Sequence, residues 1–289
     1  MKMKRSEKLG MFTGLVVGVL LLLISVFMIF QTTCKVWGAE KPANATQQGI
    51  DVSSHQGKID WEQVKNSALA DYAIIRCGYG VNQTDKDDKY WDYNSSECER
   101  LGIPYGTYLY SGADTTAKAK SEAEHVVRLL QGKNLTYPIY YDMEADMLNQ
   151  LSSTQIGNIA KTFLNTMESY GYKNVAVYSN KYLFETKLTA SVFSDYPKWI
   201  AQHSNKCTYQ GSYHMWQYST QGVIPGISEK VDLNYKIGNW TYAGYSSAKK
   251  TVVVKPKATT IKSLRKSGKK AVKITYKTVS YTHLTLPTN

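Results

Sequence analysis

Four carboxylic acids stand at the ends of short apolar runs, where strands of a barrel would finish. They are Asp51 in GIDV, Asp142 and Glu144 in YYDME, and Asp232 in VDLN. Such a cluster can hydrolyse a glycosidic bond when one protonated carboxyl protonates the leaving oxygen and an ionised one stabilises the positive anomeric carbon. Like charges in a partly buried cleft raise the pKa of one member. We predict Glu144 as the general acid, because its side chain reaches further than that of Asp142.

The elements that must position these acids can be read between residues 48 and 240. Short apolar runs alternate there with longer amphipathic ones, which is typical of repeated β/α units. The predicted strands are residues 49–52, 73–77, 105–110, 138–142, 175–178, 199–202, 215–218 and 231–233. The predicted helices are residues 61–69, 90–101, 115–130 and 154–170. We expect an α/β fold, an irregular TIM-like (β/α) barrel whose second half has shorter connections, with its active site at the carboxyl ends of the strands.

Barrel closure would bring the four acids together. The first and eighth strands become neighbours, so Asp51 and Asp232 should meet. Asp142 and Glu144 are two residues apart and face the same side if the fourth strand persists through Glu144. The separation of the reacting carboxyl groups would decide between a retaining and an inverting route, with substrate assistance as a third option.

Aromatic residues near the predicted strand ends are candidates for stacking on sugar rings, although any one of them is more often a core residue or lies behind the groove. They are Tyr79, Tyr108, Tyr110, Tyr141, Tyr178, Trp199, Trp216 and Tyr218. Arg76 could hydrogen-bond an acidic side chain inside the barrel, which we favour, or meet a substrate carboxylate.

Other chemistries lack their motifs. The five histidines show no metal-ligand spacing, and neither a GxSxG elbow nor a glycine-rich phosphate loop is present. The four cysteines are too few and too scattered for a disulfide framework, and Cys77 is predicted to be a small core residue. We therefore expect no metal and no cofactor.

Charge is divided unevenly along the chain, whose net charge is +12. Residues 1–47 carry six Lys/Arg against two Asp/Glu, residues 48–240 carry 18 against 21, and residues 241–289 carry 11 against none. The catalytic body is thus slightly acidic, and a nucleic-acid partner is not indicated. The basic end could bind anionic wall polymers or simply be solvated.

The N-terminal segments predict export. A basic leader, residues 1–10, precedes an uncharged apolar run at residues 11–30, which is long enough to cross a membrane as a helix. The positive-inside rule keeps the leader in the cytoplasm and sends the rest outside. Residues 11–30 are a transmembrane anchor or a signal segment, so the body, after a linker at residues 31–47, is extracytoplasmic and either membrane-anchored or secreted after cleavage.

Composition changes again after the body. Residues 241–250 form a predicted linker, and residues 251–289 resemble a truncated, basic fibronectin type III-like segment with strands at residues 251–254 and 271–276. A complete sandwich of this type needs about seven strands.

Seven segments, which follow one another in the family's order and span about two thirds of the chain, resemble glycoside hydrolase family 25 muramidases. They are GIDVSSHQGKIDW from residue 49, AIIRCGYG from 73, IPYGTY from 103, YDME from 141, WIA from 199, WQYS from 216 and VDLN from 231. The resemblance implies a TIM-like barrel that cleaves the β-1,4 bond between N-acetylmuramic acid and N-acetylglucosamine without a cofactor.

The resemblance also assigns roles. The family's acidic positions fall on Asp51, Asp142, Glu144 and Asp232. Glu144 would be the acid, and Asp142 would act at the anomeric carbon or orient the acetamido group, while the other two hold the sugar and shape the field. Two departures, Cys77 and His203, touch no carboxylate in this reading. A wall-binding barrel without catalysis and a glycosidase acting on chitin-like glycans remain alternatives.

Overall fold

The computed structural model describes residues 39–240 and the backbone of residues 261–266 and 272–276. The chain divides into two compact units, Met1–Ala248 and Lys249–Asn289. In the second unit, Ile261–Lys266 pairs antiparallel with Val272–Tyr276. The latter strand coincides with the prediction at residues 271–276, whereas residues 251–254 and the linker at 241–250 lie outside the described residues. The fibronectin-like assignment stays a prediction.

Eight strands of the first unit close into a barrel in sequence order. They are β1 Ala45–Val52, β2 Tyr72–Tyr79, β3 Tyr105–Tyr110, β4 Ile139–Asp142, β5 Val175–Asn180, β6 Lys198–Ala201, β7 Met215–Gly222 and β8 Val231–Ile237. All eight predicted strands are confirmed in type and order. β1 to β7 are parallel, while β8 runs antiparallel to both of its neighbours, β7 and β1.

Six α-helices cover the barrel between these strands. They are α1 Trp61–Ser67, α2 Trp91–Leu101, α3 Thr116–Leu129, α4 Ser153–Ser169, α5 Lys181–Thr186 and α6 Val192–Asp195. The four predicted helices are α1 to α4. Only the short α5 and α6 connect β5 to β6, and no helix lies in residues 202–214 or 223–230. The expectation of an irregular second half is therefore confirmed.

The longest helix shows why these segments fold as they do. Ser152 and Gln155 form a capping box that satisfies free backbone N–H groups at the start of α4. The helix buries Ile156, Phe163 and Met167 along one face, as their spacing predicts. α2 ends at Gly102, whose φ of 66° is a left-handed conformation that glycine adopts without strain.

Strand alternation sorts the apolar residues into two cores. The outer core lies between barrel and helices and contains the buried faces of α1 to α4. The inner cluster fills the barrel; its members are Tyr72, Ile74, Tyr137, Tyr140, Ala176, Tyr178, Trp199, Ala201 and Met215. Trp199 lies at its centre, with ring centroids 4.9 Å from Tyr140 and 4.4 Å from Tyr178. The interior is therefore packed with aromatic rings.

The direction of β8 corrects one detail of the sequence reading. A repeated β/α pattern implies eight parallel strands with Asp232 near a carboxyl end, but β8 is reversed and Asp232 lies near its start. Reversal places that start beside the end of β1, where Asp51 and Asp232 are paired in register. We call the end of the barrel where β1 to β7 finish and β8 begins the mouth. The four acids still lie together at this end.

The two chain ends of the barrel meet at the opposite pole. Ala45, at the start of β1, pairs with Ile237, at the end of β8. Just beyond them, the Gly238 N–H donates to the Asn44 carbonyl at 2.8 Å, and Thr46 Oγ1 donates to the Gly238 carbonyl at 3.0 Å. Both barrel termini are thus joined on the side away from the mouth.

Within residues 39–240 no helix is both long and apolar enough to span a bilayer. The predicted leader at residues 1–10, the predicted anchor or signal at residues 11–30 and residues 31–38 of the predicted linker lie outside the described residues. The linker was predicted to extend to residue 47, but β1 already begins at Ala45. These assignments stay predictions.

Candidate active site

The fourth strand sends two acids to the mouth. Asp142 is the last residue of β4 and is 3% exposed. Past it, the Met143 N–H donates to the Tyr178 carbonyl at 2.9 Å, and Ser179 Oγ donates to the Met143 carbonyl at 2.6 Å. These bonds continue the pairing with β5 while Met143 packs in the outer core. Glu144 therefore returns to the side of Asp142, partly buried.

The first and last strands contribute a second pair, bridged by amides. Gln217 Nε2 donates to Asp51 Oδ2 at 3.0 Å and lies 3.3 Å from Asp232 Oδ2. Asn234 Nδ2 donates to the same Asp51 oxygen at 2.7 Å. Asp51 is 5% exposed and Asn234 fully buried. The two amides hold the Asp51 carboxyl at a fixed place and orientation.

Further donors determine which way each amide points. Trp199 Nε1 donates to Asn234 Oδ1 at 2.8 Å, so the Asn234 nitrogen faces Asp51. Tyr178 donates its hydroxyl to Gln217 Oε1 at 3.0 Å, and His203 Nε2 lies 3.0 Å from the same oxygen. The inner cluster thus supports the acids from below through hydrogen bonds.

All four carboxyl groups have raised pKa values. Burial is the largest cause for each, and it raises the pKa of Asp51 and Asp142 well above the ordinary value. Asp232 further raises the pKa of Asp51, and Glu144 raises that of Asp142. The pKa of Glu144 is raised by burial and by Asp51, against a lowering effect of His203. The mouth therefore favours protonated carboxyl groups, as an acid catalyst requires.

The titration of Asp232 gives a testable pH dependence. Its pKa is raised from 3.8 to about 6, chiefly by burial, so the folded chain binds a proton more tightly than the unfolded chain. Ionising Asp232 then destabilises the fold as pH rises from about 4 to about 6. We expect the free energy of unfolding in urea of Asp232→Asn, minus that of wild type, to increase by about 1–3 kcal/mol between pH 4 and pH 7. A difference that is constant over this range would contradict the assignment.

Arg76 lies at the mouth as a supporting cation. Its Nε donates to Asp88 Oδ2 at 2.8 Å, and a terminal guanidinium nitrogen donates to Ser54 Oγ at 2.9 Å. The Asp88 side chain is fully buried, and its Oδ2 also accepts from the Ser54 N–H at 2.9 Å. The charge of Arg76 lowers the pKa of Asp142 in opposition to burial. The acidic partner thus comes from the loop after β2.

Four of the aromatic candidates lie at or just below the mouth. Tyr79 is 41% exposed, with Lys86 Nζ 4.9 Å from its ring centroid. Tyr110 is partly buried, and Asp142 contributes to raising its pKa after burial. Tyr108 and Tyr178 lie deeper, where burial raises the pKa of each. Trp199 forms the floor beneath them and is 1% exposed.

Tyr141, Trp216 and Tyr218 do not face the mouth, which corrects their proposed place in a sugar groove. Tyr141 is fully buried in the outer core and stacks on Phe163 of α4 at 3.8 Å between centroids. Trp216 is fully buried, and Tyr218 packs beside it at 5.7 Å. Each lies next in sequence to an inward-facing residue, so its own side chain points outward.

The displaced position of Tyr141 predicts a separation of stability from activity. Its hydroxyl donates to Glu122 Oε2 at 2.6 Å inside the outer core. Tyr141→Phe should lower the free energy of unfolding by about 1–3 kcal/mol, because a buried acceptor loses a donor. Glycan hydrolysis should stay within about twofold of wild type. A tenfold loss of kcat/KM with unchanged thermal stability would instead indicate that Tyr141 contacts the sugar in the groove.

Three site residues escaped sequence reasoning: Gln217, Asn234 and His203. A signal existed for two of them. Asn234 follows Asp232 by two residues, and Gln217 lies in a segment already matched, so both had the parity of inward-facing positions. His203 lies in the loop after β6, and no local pattern indicated its contact.

Three cysteines lie within the described residues. Cys77 is buried in the outer core, as predicted, and Cys98 is buried while Cys207 is partly exposed, all as free thiols. Within the described part of the chain, no group of three or more His, Cys, Asp or Glu residues is arranged to hold a metal ion.

A cluster of buried carboxyl groups at this end of a β/α barrel is the arrangement that glycoside hydrolases use. The sequence profile of glycosyl hydrolases family 25 matches residues 50–227. The chain belongs to this family, and the resemblance seen in its sequence is confirmed.

Known relatives agree with this membership. The chain is similar to the autolytic lysozyme of Clostridium acetobutylicum, with 30% identity over 65% of this chain and 55% of the relative. Its fold is similar to the modular autolysin LytC of Streptococcus pneumoniae, with a TM-score of 0.60 and 33% identity over 65% of this chain and 46% of that one. A family 25 glycosyl hydrolase from Bacillus anthracis shares the fold, with a TM-score of 0.61 and 21% identity over 70% and 94% of the two chains.

Proposed function

We propose that this glycoside hydrolase is a lysozyme that cleaves the β-1,4 bond between N-acetylmuramic acid and N-acetylglucosamine in peptidoglycan. The observation that carries the proposal is the gathering of four carboxyl groups with raised pKa values at one mouth. Two relatives support the substrate: one is named an autolytic lysozyme, and LytC has been solved with a synthetic peptidoglycan ligand.

Glu144 is the proposed general acid. It is partly buried, so its carboxyl reaches solvent-accessible space where a leaving oxygen can lie, while burial and the Asp51 charge raise its pKa. A raised pKa keeps the proton available near neutral pH. Asp142, in contrast, is buried and lacks this exposure.

Asp142 is the proposed partner at the reacting sugar. Its Oδ1 is buried and has no hydrogen-bond partner among the described residues. An unsatisfied buried oxygen of this kind is costly unless a ligand or water completes it. A substrate acetamido N–H or the positive charge at an anomeric carbon would supply that interaction. Asp142 therefore acts either at the anomeric carbon or by orienting the acetamido group.

The other groups bind and orient the glycan. Asp51 and Asp232 hold the sugar and make the electrostatic potential at the mouth negative. The positive charge of Arg76 makes that potential less negative. Tyr79, Tyr108, Tyr110 and Tyr178 offer rings and hydroxyl groups to the strand, with Trp199 as the floor beneath it. No cofactor takes part in this proposal.

Such a substrate places the barrel outside the cytoplasm. Residues 11–30 would hold the chain in the membrane with its N-terminus inside, or direct its secretion after cleavage. The basic segment at residues 251–289 would add attraction to anionic wall polymers. Nucleic acid has no place in this proposal.

Product identity tests the function. The full chain, solubilised in mild detergent, is incubated with purified peptidoglycan, and new reducing ends are identified by mass spectrometry after borohydride reduction. N-acetylmuramitol ends are expected. N-acetylglucosaminitol ends, or equal rates on chitin oligomers, would contradict the proposed bond. Wall binding without any new ends would identify a barrel that binds glycan and does not cleave it.

A further inference from the structure

His203 is an exposed histidine at the mouth that the proposed reaction has not used. It lies two residues beyond the end of β6, and its Nε2 is 3.0 Å from Gln217 Oε1. An amide oxygen only accepts hydrogen bonds, so Nε2 must carry the hydrogen. Its charge also acts on Glu144, whose pKa it lowers. The imidazole thus contacts the amide that bridges Asp51 and Asp232 and also acts on Glu144.

Gln217 needs a defined orientation to do its work. Its Nε2 reaches Asp51 Oδ2 at 3.0 Å and Asp232 Oδ2 at 3.3 Å. An amide turned by 180° would present its oxygen to two carboxyl groups and lose both bonds. The donors to Oε1 therefore decide whether the bridge between Asp51 and Asp232 exists.

Tyr178 cannot supply this orientation alone. Its phenol has one donor hydrogen, which bonds to Gln217 Oε1 at 3.0 Å. Tyr178 also lowers the pKa of Glu144, as a hydrogen-bonding neighbour of its carboxyl group. Once Glu144 has given up its proton, its carboxylate becomes a stronger acceptor that competes for the phenol hydrogen. The His203 N–H is then the donor that keeps Gln217 oriented.

We propose that His203 is a positioning residue: through its Nε2–H it holds the Gln217 amide in the orientation that bridges Asp51 and Asp232 during the catalytic cycle. The inference rests on the proposed function for its kinetic consequence. It deepens that function by giving one exposed side chain a defined part in the geometry of the acids.

Two amide substitutions separate positioning from other effects. The amide nitrogen of Gln reaches about as far as histidine Nε2, whereas that of Asn reaches only as far as Nδ1. With soluble peptidoglycan fragments, His203→Asn should lower kcat about tenfold, as expected from losing one hydrogen bond at a reacting centre, with KM within about twofold. His203→Gln should restore kcat to within about threefold of wild type. Both variants should melt at the wild-type temperature, because His203 is exposed.

Either of two results would overturn the proposal: full kcat in His203→Asn, or equal losses in the two variants. A readout without catalysis keeps this test separate from the proposed function. In the full chain labelled with ¹⁵N-glutamine, the side-chain amide signals of Gln217 are those missing from Gln217→Leu. Slow hydrogen exchange of these signals should persist in His203→Gln and be lost in His203→Asn. If wild type cleaves no glycan, the proposed function fails, and the exchange rates alone decide the role of His203; equal exchange in both variants would reject it.

Discussion

Replacing Glu144 by Gln should lower kcat/KM on peptidoglycan by about 10²- to 10⁴-fold, the usual contribution of a general acid. The amide has nearly the same size and can keep the contact with Tyr178, but it cannot give a proton to the leaving oxygen. The measurement is the initial rate of reducing-end release by the full chain. On an aryl glycoside with an acidic leaving group the loss should shrink, because that oxygen leaves without a proton.

Asp146→Asn is the matched control for Glu144→Gln. Asp146 is exposed and begins the short 3-10 helix Asp146–Gln150, two residues beyond Glu144. The Asp146→Asn substitution removes a negative charge from the same loop as Glu144 and leaves the inner cluster unchanged. Its kcat/KM should stay within about twofold of wild type. Glu144→Gln retaining a tenth or more of wild-type activity would contradict the acid assignment.

Asp142→Asn should lower kcat/KM by about 10²- to 10³-fold, the range found when one preorganised electrostatic group is removed. The substitution keeps the shape of the end of β4 and removes the carboxyl group that would carry negative charge opposite the anomeric carbon. The side chain is buried and its Oδ1 has no hydrogen-bond partner among the described residues, so none of them already interacts with the sugar in its place. Binding of intact glycan should change far less than kcat. Wild-type kcat in this variant would remove Asp142 from the mechanism.

The substrate can reveal which role Asp142 plays. With peptidoglycan whose muramic acid lacks the N-acetyl group, a residue that only orients the acetamido group has nothing to act on. Wild type and Asp142→Asn should then become equally slow. If Asp142 stabilises charge at the anomeric carbon directly, the variant should remain slower by the same factor on both substrates.

Much of the fold was accessible from local patterns. α4 was predicted because Ile156, Phe163 and Met167 recur on one helical face, and each strand was predicted because its apolar run is short. The reversal of β8 was not predicted, since VDLN has the same pattern in either direction. A length argument was nevertheless available. Only residues 223–230 connect β7 to β8, fewer than the dozen or so that a parallel crossover needs.

The candidate site was predicted where it depends on strand ends and missed where it depends on side-chain direction. The four acids meet because barrel closure alone determines which ends are neighbours. Tyr141 and Trp216 were misplaced although each adjoins an inward-facing residue, so their parity already excluded the mouth. The contact of His203 with Gln217 could not be predicted, because it depends on the conformation of the loop after β6.

The junction of Asn44 with Gly238 makes the barrel a nearly continuous ring of chain. Its two ends are linked at the pole opposite the acids by the bond from the Gly238 N–H to the Asn44 carbonyl and by the bond from the Thr46 hydroxyl to the Gly238 carbonyl. A circular permutant with these ends fused, and with new termini in an exposed loop, would keep every strand beside its native neighbours. The same arrangement makes the pole opposite the acids a suitable point of attachment. A protein fused there to either end of the barrel would leave the mouth open to an approaching glycan strand.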